Sequence, residues 1–480
     1  MTIRNVGPSS TYPTIAAAVG ASAAGDTIRL APGYSDERAV LTVQDLTVQG
    51  AASSRNIDLE LGLGINNVTL AGFADIDVWD NSGNNAITGN SGDSILRVSG
   101  GADVVIGGDG VDRLVVDYSD AVASVIGTVT GVTDGGTRSV TYDASVENFT
   151  IQTGSGDDTV TTGDGDNVLN TRGGNDTITT GHGDSRVSTG GGNDTVGVGN
   201  GQNTVHSGAG DDTVTTGDGD NRVNAGNGNN TVTTGDGADI LTTGSGDDTL
   251  LTAAGDDRVQ VRGGIDTLDA GTGNDVLTVD YSHLLTNVTG NPTAGTPASG
   301  YTGLVADTAG NSVNYSGVES FNITTGTGDD RVRTGGGDDT LSGGQGDDLL
   351  QASGGDDVLN GSGGADTLRG GQGADVLTGG RGTDSFSFDN LDSMGRADLI
   401  TDLQAQDFID LSRIDADVNA IGDQAFVFVD SFNGAAGEAT VTYLAGRDVT
   451  RFDFDTDGDS SADITIVAAG NQNSFDNFVL

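Results

Sequence analysis

The stretch TGSGDDTVT TGDGDNVLN TRGGNDTIT TGHGDSRVS TGGGNDTVG, residues 153–197, repeats one nonapeptide pattern five times. Glycine holds the fourth place of every copy, and an apolar residue holds the eighth. The sixth place alternates between an acid, as at Asp158, and a neutral polar residue, as at Asn167. The alternation indicates a flattened solenoid with two nonapeptides per coil, because alternate turns then lie on opposite edges. Each copy predicts a glycine-rich turn followed by a short strand.

The composition gives the chain a large negative net charge, and the folded state must overcome the resulting repulsion. Of 480 residues, 81 are Gly, 70 are acidic and only 20 are basic, all of them Arg, so the net charge is −50. Such a chain repels nucleic acid and anionic membrane surfaces, and its compact state is self-repelling. We therefore expect a divalent cation to offset the repulsion, since Asp carboxylates and turn carbonyls are hard oxygen ligands. The strict period argues against disorder, which the low hydrophobic content alone would allow.

The sequence contains neither cysteine nor a long apolar segment. Without Cys there are no disulfides and no thiolate metal sites. No apolar run approaches the roughly 18 residues of a membrane span. The N-terminal residues lack the basic-then-apolar layout of an export signal. This leaves open a protein that stays inside the cell and one exported by another route.

The nonapeptide divides the chain into seven predicted regions. Fourteen uninterrupted copies fill one block, seven fill a second and four weaker ones fill a third. Two inserts that share the motif VDYS separate these blocks, and we expect them to form loops or hairpins on the side of a continuing solenoid. After the last copy, short alternating runs predict a small β meander. The predicted regions are 1–79 (capped β-helix segment), 80–115 (short roll), 116–152 (first insert), 153–278 (long roll), 279–324 (second insert), 325–387 (second roll) and 388–480 (C-terminal cap).

The first 79 residues predict a wider coil. DLTVQG at 45–50 returns as NVTLAG at 67–72, an offset of 22. Ile15 and Val19 share one face of a helix predicted within 14–24, which would cover the open edge of the first coil. This segment resembles the opening of pectin-lyase-like β-helix proteins.

The nonapeptide resembles GGxGxDxUx, the repeat of RTX (repeats-in-toxin, hemolysin-type) proteins, over 25 copies. The resemblance implies an all-β fold, a right-handed parallel β-roll in which sixth-place Asp side chains and turn carbonyls of adjacent coils hold several Ca²⁺ ions. Asp beside Gly also favours turns without any metal, but 25 phased copies in so acidic a chain favour calcium. Because each copy buries mostly one apolar residue, calcium and backbone pairing must supply much of the folding free energy.

The resemblance assigns the calcium ligands to the sixth place. In the long roll one edge is acidic from Asp158 and the other begins with Asn167. We therefore expect metal along one edge first, and along both edges from about residue 239. Acids at other places, such as Asp164 and Asp220, leave a weaker site in the amide-type turns open. The predicted ligands are Asp103, Asp112, Asp158, Asp176, Asp194, Asp212, Asp239, Asp248, Asp257, Asp266, Asp275, Asp330, Asp339, Asp348, Asp357, Asp366, Asp375 and Asp384.

The region after Phe388 resembles the C-terminal module of serralysin-type secreted proteins. The likeness lies in ADLITDLQAQDFIDLSRIDAD (397–417), FNGAAGEATVTYL (432–444), DFDTDGDSSADITIV (453–467) and FDNFVL (475–480). It implies a cap on the roll and an uncleaved signal for type I secretion machinery, and hence an extracellular or cell-surface location. One more calcium loop is predicted at Asp455, Asp457, Asp459 and Asp463, with a plain polar turn as the alternative.

Motifs of enzymes and toxins do not match the sequence. None of the three His has the spacing of the zinc motif HExxH, and a chain without Lys does not fit the Lys-acylated pore-forming toxins. For a polysaccharide-modifying enzyme, Asp75 and Asp77, with Arg55 near in sequence, are the candidate acid/base partners. Catalytic β-helices of that class have more coils than residues 1–79 can supply.

The sequence therefore predicts a secreted, non-catalytic, calcium-binding structural protein. The absence of Cys, the scarcity of Met and His and a pI near 4.1 resemble bacterial S-layer proteins of the RTX type. The expected product is a surface layer, filament or extracellular matrix formed by calcium-dependent self-assembly. The alternative is a calcium-dependent adhesin that binds cell-surface glycan. Expected partners are copies of the chain and the type I secretion machinery, with no nucleic acid and no membrane span.

Overall fold

The computed structural model describes residues 1–389, 396–420 and 424–480. It is an all-β parallel solenoid, as the repeat predicts. Two compact units are distinguished, Met1–Asp236 and Gly237–Leu480. Among the described residues, no helix is long and apolar enough to cross a membrane. The predicted C-terminal region 388–480 includes 390–395 and 421–423, which lie outside the described residues.

The N-terminal coils of the first unit are wider than the later ones. Their elements are β1 (Ile3–Val6), α1 (Ile15–Val19), β2 (Thr27–Leu30), β3 (Ser35–Leu41), β4 (Leu46–Gly50), β5 (Arg55–Leu61), β6 (Asn67–Gly72) and β7 (Ile76–Trp79). Ile3 in β1 pairs with Thr27 in β2, one wide coil further along the chain. Leu46 in β4 pairs with Val68 in β6, which confirms the predicted offset of 22.

The predicted N-terminal helix is present but short. Thr14 caps it by accepting a hydrogen bond from the Ala17 N–H at 3.1 Å. Ile15 and Val19 are buried, as their shared helical face predicts. The helix packs on β1, β2 and β3, so it covers the start of the solenoid.

The rest of the first unit consists of nonapeptide coils and the first insert. Its strands are β8 (Ala86–Thr88), β9 (Ile95–Val98), β10 (Ala102–Ile106), β11 (Arg113–Asp117), β12 (Ile126–Thr128), β13 (Gly131–Thr133), β14 (Ser139–Tyr142), β15 (Asn148–Gln152), β16 (Thr159–Thr161), β17 (Val168–Asn170), β18 (Thr177–Thr179), β19 (Arg186–Gly191), β20 (Thr195–Val198), β21 (Thr204–Ala209), β22 (Thr213–Thr216), β23 (Arg222–Gly226) and β24 (Thr231–Thr233). Outside the insert, each coil from β8 onward consists of two nonapeptides, as in the pairing of Ala86 with Val104. Eighth-place residues such as Val160 and Ile178 are fully buried between the two sheets.

The second unit has the same architecture and ends in the cap. Its strands are β25 (Ile240–Thr243), β26 (Thr249–Leu251), β27 (Arg258–Val261), β28 (Ile265–Asp269), β29 (Val276–Asp280), β30 (Val288–Thr296), β31 (Gly300–Asp307), β32 (Ser312–Val318), β33 (Ser320–Thr324), β34 (Arg331–Arg333), β35 (Thr340–Gln345), β36 (Leu349–Gly354), β37 (Val358–Gly363), β38 (Thr367–Gln372), β39 (Val376–Arg381), β40 (Ser385–Asp389), β41 (Asp398–Ile400), β42 (Phe408–Arg413), β43 (Val427–Phe428), β44 (Glu438–Leu444), β45 (Val449–Asp455), β46 (Ile464–Ala469) and β47 (Phe478–Val479).

The two inserts are antiparallel hairpins, but their predicted position on the side of the solenoid is wrong. In the first insert β14 pairs with β10 of the coil before, β12 pairs with β16 of the coil after, and β13 joins them antiparallel. The second insert repeats this arrangement with β32, β31 and β30 between β28 and β34. Each insert therefore becomes part of one wall. Pairing on both sides explains this position, because a hairpin on the outside would expose new strand edges.

The C-terminal meander is confirmed. β44, β45 and β46 pair antiparallel, and β46 then pairs parallel with β41. Phe452 packs against Phe475 and Phe478, with ring centroids 6.3 and 5.7 Å apart. These aromatic rings give the cap the large apolar core that the repeats lack.

Candidate calcium sites

Sixth-place carboxylates form a hydrogen-bonded ladder inside each turn edge. The Oδ1 atom of Asp176 accepts the backbone N–H of Asp158 at 2.8 Å, and Asp194 does the same for Asp176. In the second unit Asp348 accepts the N–H of Asp330, also at 2.8 Å. Each carboxylate thus bonds the turn that lies one coil earlier. The ladder fixes the carboxylate beside the glycine-rich turn and uses only one of its two oxygens.

The second carboxylate oxygen is buried and unsatisfied. Sixth-place Asp side chains are between 0 and 3 % exposed. A buried carboxylate oxygen without a partner is costly, and a cation between the coils would remove that cost. The Oδ2 atoms without a hydrogen-bond partner among the described residues belong to Asp103, Asp112, Asp176, Asp194, Asp212, Asp257, Asp266, Asp275, Asp330, Asp339, Asp348, Asp357, Asp366, Asp375 and Asp384.

The remaining three predicted ligands in the repeats also lie in the ladder. Asp239 and Asp248 are buried, and their N–H groups donate to Asp257 and Asp266 at 2.8 and 3.0 Å. Asp158 differs, because its Oδ2 accepts the hydroxyl of first-place Thr153. Where the first place is Gly, as at Gly343, a Cβ would overlap the carboxylate of Asp348.

Burial raises the pKa of these carboxylates, which favours their protonated form when no cation is present. It raises the pKa of Asp176 and Asp348 to about 7, and of Asp357 to about 8. Neighbouring ladder carboxylates raise the pKa values further, since like charges disfavour ionisation. A divalent cation would reverse both effects, because it stabilises the ionised form.

In the turns of Asn203 and Asn221, two backbone carbonyls are hydrogen-bonded without a cation. Asn203 donates from Nδ2 to the carbonyl oxygens of Gly199 and Gly201 at 2.8 and 3.1 Å. Asn221 makes the same pair of bonds in its own turn. The amide nitrogen therefore donates hydrogen bonds to turn carbonyls that would otherwise be available to a metal ion. That these turns bind no metal stays a prediction, and this geometry gives it a physical reason.

A second ladder, which the sequence analysis missed, runs along the outside of the turns. At the fifth place, Asp157 accepts the N–H of Asn175 at 2.7 Å, and Asn175 accepts that of Asn193 at 2.7 Å. Its direction is opposite to the inner ladder, because each side chain bonds the turn one coil later. Only the recurrence of Asp or Asn at the fifth place signals it in the sequence.

The inner ladder continues beyond the last nonapeptide. Asp398 accepts the N–H of Asp375 at 2.9 Å, and Asp407 accepts that of Asp384 at 3.1 Å. Asp402 accepts the N–H groups of Gly379 and Gly380 at 2.9 and 2.8 Å. These residues could not be predicted from the repeat, because the nonapeptide phase has ended before them.

The comparisons with known proteins agree with this geometry. The model of the RTX calcium-binding nonapeptide repeat (4 copies) matches residues 79–114, 150–178, 161–196, 171–205, 197–232, 215–250, 224–259 and 251–280. The model of the peptidase M10 serralysin C terminal matches residues 273–480. The chain carries RTX repeats and a serralysin-type C terminus. RTX nonapeptides bind calcium, so several Ca²⁺ ions belong to this protein.

Similar solved structures add little to the RTX assignment. The extracellular lipase LipA from Serratia marcescens aligns at 17 % identity over 56 % of this chain and 40 % of the lipase, with a TM-score of 0.14. The chain thus corresponds to well under half of the lipase. No curated protein matches the chain. The RTX repeat and the serralysin C terminus are both typical of extracellular proteins exported by type I secretion.

The predicted C-terminal calcium loop of this RTX protein is partly assembled. Carboxylate oxygens of Asp455, Asp457 and Asp463 lie within 4.8 Å of one another. The cluster does not include Asp459, whose Oδ1 accepts the Ser461 N–H at 2.7 Å. Both oxygens of the buried Asp455 accept backbone N–H groups, as in an ordinary polar turn. Calcium binding at this loop stays a prediction.

The residues considered for catalysis line one shallow hollow. Arg55, Asp75 and Asp77 meet there, in a space of about 300 Å³. Asp75 accepts the N–H of Asp93 at 3.0 Å, so it belongs to a backbone ladder. Asp77 accepts the Ile95 N–H at 3.0 Å and pairs with Arg97 at 3.3 Å. Burial raises the pKa of Asp77.

Proposed function

We propose that this RTX protein is a non-catalytic extracellular structural protein that folds on calcium and assembles with copies of itself into a surface layer, filament or matrix. The observation that carries the proposal is an uncharged, flat strand face in a chain of net charge −50. Two such acidic molecules repel each other wherever their carboxylates meet. Calcium held in the turns lowers that repulsion, and an uncharged face allows close approach.

The threonine face is the outer surface of β16, β18, β20, β22 and β24. Pairing places Thr159, Thr177, Thr195, Thr213 and Thr231 in one register row. These side chains are exposed. Neighbouring hydroxyls in the row repeat at the strand spacing of about 4.8 Å. The second row consists of Thr161, Thr179, Gly197, Thr215 and Thr233.

The opposite wall of the same coils is different. Its outward residues include Arg186, His206 and Arg222, which are exposed. Arg186 and Arg222 both pair with Thr204, so the cationic side chains recur on every second coil. This wall therefore provides a matched control surface of the same architecture.

The test compares one charge placed on each wall. Thr213→Glu introduces a charge in the threonine face, and Asn224→Glu introduces the same charge on the exposed opposite wall. In about 1 mM Ca²⁺, within the range of extracellular modules, electron microscopy and light scattering should show assemblies of the parent and of Asn224→Glu. Thr213→Glu should assemble much less, because buried like charges oppose contact. A dispersed calcium-loaded parent, or equal assembly of both variants, contradicts the proposal.

The adhesin alternative predicts a calcium-loaded monomer with a ligand surface. The single Trp, a common sugar-stacking residue, does not offer a free ring. Arg97 lies 4.1 Å and Arg38 5.1 Å from the ring of Trp79. Retention of the dispersed monomer on a glycan column would favour the adhesin. Depolymerisation of acidic glycan would favour an enzyme using the hollow at Asp77.

A further inference from the structure

Each insert carries a glutamate at the place where the next repeat would supply its sixth-place Asp. Glu147 accepts the backbone N–H of Asp112 at 2.8 Å. Glu319 accepts that of Asp275, also at 2.8 Å. Ladder aspartates make the same bond at the same length, as Asp194 does with Asp176. Two inserts of different length therefore reproduce one geometry.

Strand pairing explains why the glutamates arrive at this place. In the first insert Arg113 pairs with Asn148, which aligns the preceding residues Asp112 and Glu147. In the second insert Val276 pairs with Ser320, so Asp275 aligns with Glu319. The chain leaves the nonapeptide for the hairpin and returns in register. The ladder is continued by a residue type that the nonapeptide itself does not use.

Beneath each glutamate lies an unsatisfied buried carboxylate oxygen. Asp112 is 0 % and Asp275 1 % exposed, and the Oδ2 atom of each has no hydrogen-bond partner among the described residues. Around the first junction, a Cβ on Gly107 would lie 2.8 Å from Oδ2 of Asp112 and would overlap the carbonyl oxygen of Ser145. An oxygen atom of the repeat, from Asp112, and one of the insert, from Ser145, therefore lie close together beside Gly107.

We propose that each insert forms a calcium site at its junction with the preceding roll, with Asp112 and Glu147 as carboxylate ligands in the first and Asp275 and Glu319 in the second. Two carboxylates, joined at the first junction by the Ser145 carbonyl, form the hard oxygen set that suits Ca²⁺. The buried, unpartnered Oδ2 atoms of Asp112 and Asp275 carry a desolvation cost that a cation would relieve. The inference depends on the calcium-binding repeats and is independent of self-assembly.

The other edge of each insert ends on a neutral group. Tyr118 and Tyr281 are fully buried, and their hydroxyls have no hydrogen-bond partner among the described residues. Burial raises the pKa of Tyr118, and the carboxylate of Asp103 raises it further, so the phenol stays neutral at that edge. We therefore expect the insert to add a ligand only at its glutamate edge. Tyr118→Phe serves as a control within the same insert.

The experiment counts calcium ions bound to the full-length protein. Native mass spectrometry in saturating Ca²⁺ should show that Glu147→Gln and Glu319→Gln each lose one ion, and that the double variant loses two. The fold should persist, because Gln keeps an acceptor oxygen for the Asp112 or Asp275 N–H, and circular dichroism checks this. Tyr118→Phe and Glu60→Gln, at a partly exposed glutamate of β5, should bind the parent number of ions. An unchanged count in both glutamine variants overturns the proposal.

A second variant tests the first site from its other ligand. In Asp112→Asn the amide oxygen keeps the bond that Asp112 makes to the Ser94 N–H at 2.8 Å. The amide nitrogen replaces the cation, as Asn203 does in its own turn. Asp112→Asn combined with Glu147→Gln should then lose no more ions than Asp112→Asn alone, since both residues serve the same ion. Additive losses would show that the two residues do not share a site.

Discussion

The sixth-place side chain of a repeat carries either a second carboxylate oxygen, in Asp, or an amide nitrogen, in Asn. This atom decides whether the polar groups of the turn are hydrogen-bonded or need a cation. The nitrogen of Asn203 bonds two carbonyls of its own turn, whereas the second oxygen of Asp194 is left for a cation. The two residue types have nearly the same shape, so exchanging them changes the metal requirement without changing the turn. Within residues 153–197 this one-atom difference separates the acidic sixth places from Asn167, whose Nδ2 donates to the carbonyls of Gly163 and Gly165.

Asn203→Asp should therefore create a calcium site. The substitution removes two donors to turn carbonyls and adds a buried charge, which only a cation can compensate. We expect one additional ion per molecule by native mass spectrometry, and a steeper calcium dependence of the circular dichroism signal. Asn224→Asp, at an exposed strand position, is the control and should leave both unchanged. The same ion count for Asn203→Asp and the parent would contradict this interpretation.

The fourth-place glycine is required by contact as well as by conformation. Gly174 has φ of 114°, and a Cβ there would overlap the carbonyl oxygen of Gly156 in the previous coil. Gly174→Ala should reduce the free energy of unfolding in saturating calcium by about 1–3 kcal/mol. Gly163→Ala is the matched control, because a Cβ at Gly163 meets nothing within 4 Å. Equal melting temperatures of the two variants would show that the close approach is unimportant.

At the scale of the element, a metal-free roll should be more stable in acid. Burial raises the pKa of Asp176 and Asp348 from 3.8 to about 7 and that of Asp357 to about 8. The folded roll then binds more protons than the unfolded chain, so its stability is fully present below about pH 4 and is lost as the pH rises through 7 to 8.

Circular dichroism of the protein in excess chelator at pH 8, 6 and 5 measures this pH dependence of stability. We expect more β-structure at each lower pH, because protons take over part of the cation's role. When calcium is present at a limiting concentration, we expect the opposite trend, with less β-structure at each lower pH. The reason is that protons and Ca²⁺ compete for the same carboxylate oxygens. Less β-structure at pH 5 than at pH 8 in chelator would contradict the assignment of the buried carboxylates.

The repeat made most elements predictable from the sequence, and the inserts show why some were not. Period and residue type determine where Val160 and Asp158 lie, because each copy repeats the same turn and strand. The strands of the inserts have no period, so their position in the wall follows from pairing with strands distant in the sequence. For the same reason Glu147 and Asp398 were missed as ladder members, since only the folded register places them opposite Asp112 and Asp375.

At the scale of the whole molecule, stability should be unevenly distributed. The N-terminal coils bury several large apolar residues per coil, such as Leu46, Ile57 and Leu59. In the long roll each nonapeptide buries mostly one large apolar residue, such as Val160 or Leu169, and two nonapeptides form one coil. Hydrophobic burial can therefore hold residues 27–79 together, whereas the roll depends on calcium.

Chelation should unfold the molecule in parts. Hydrogen exchange measured by mass spectrometry in excess chelator should show retained protection in peptides from 27–79. Peptides from 153–236 should exchange rapidly and regain protection when calcium is restored. Uniform protection along the chain in chelator would mean that the rolls do not need metal, and the account of the buried carboxylates would then fail.

The direction of the inner ladder has a consequence for how such proteins change length. Every sixth-place carboxylate bonds the turn one coil earlier, so the last two turns of the second roll receive carboxylates from outside the repeat, Asp398 and Asp407. Insertion or deletion of two consecutive nonapeptides in the interior of a roll preserves every donor and acceptor. The same change at the C-terminal end separates the roll from the residues that terminate it. Evolution and protein engineering can therefore vary the number of interior coils freely, while the terminating segment must be kept intact.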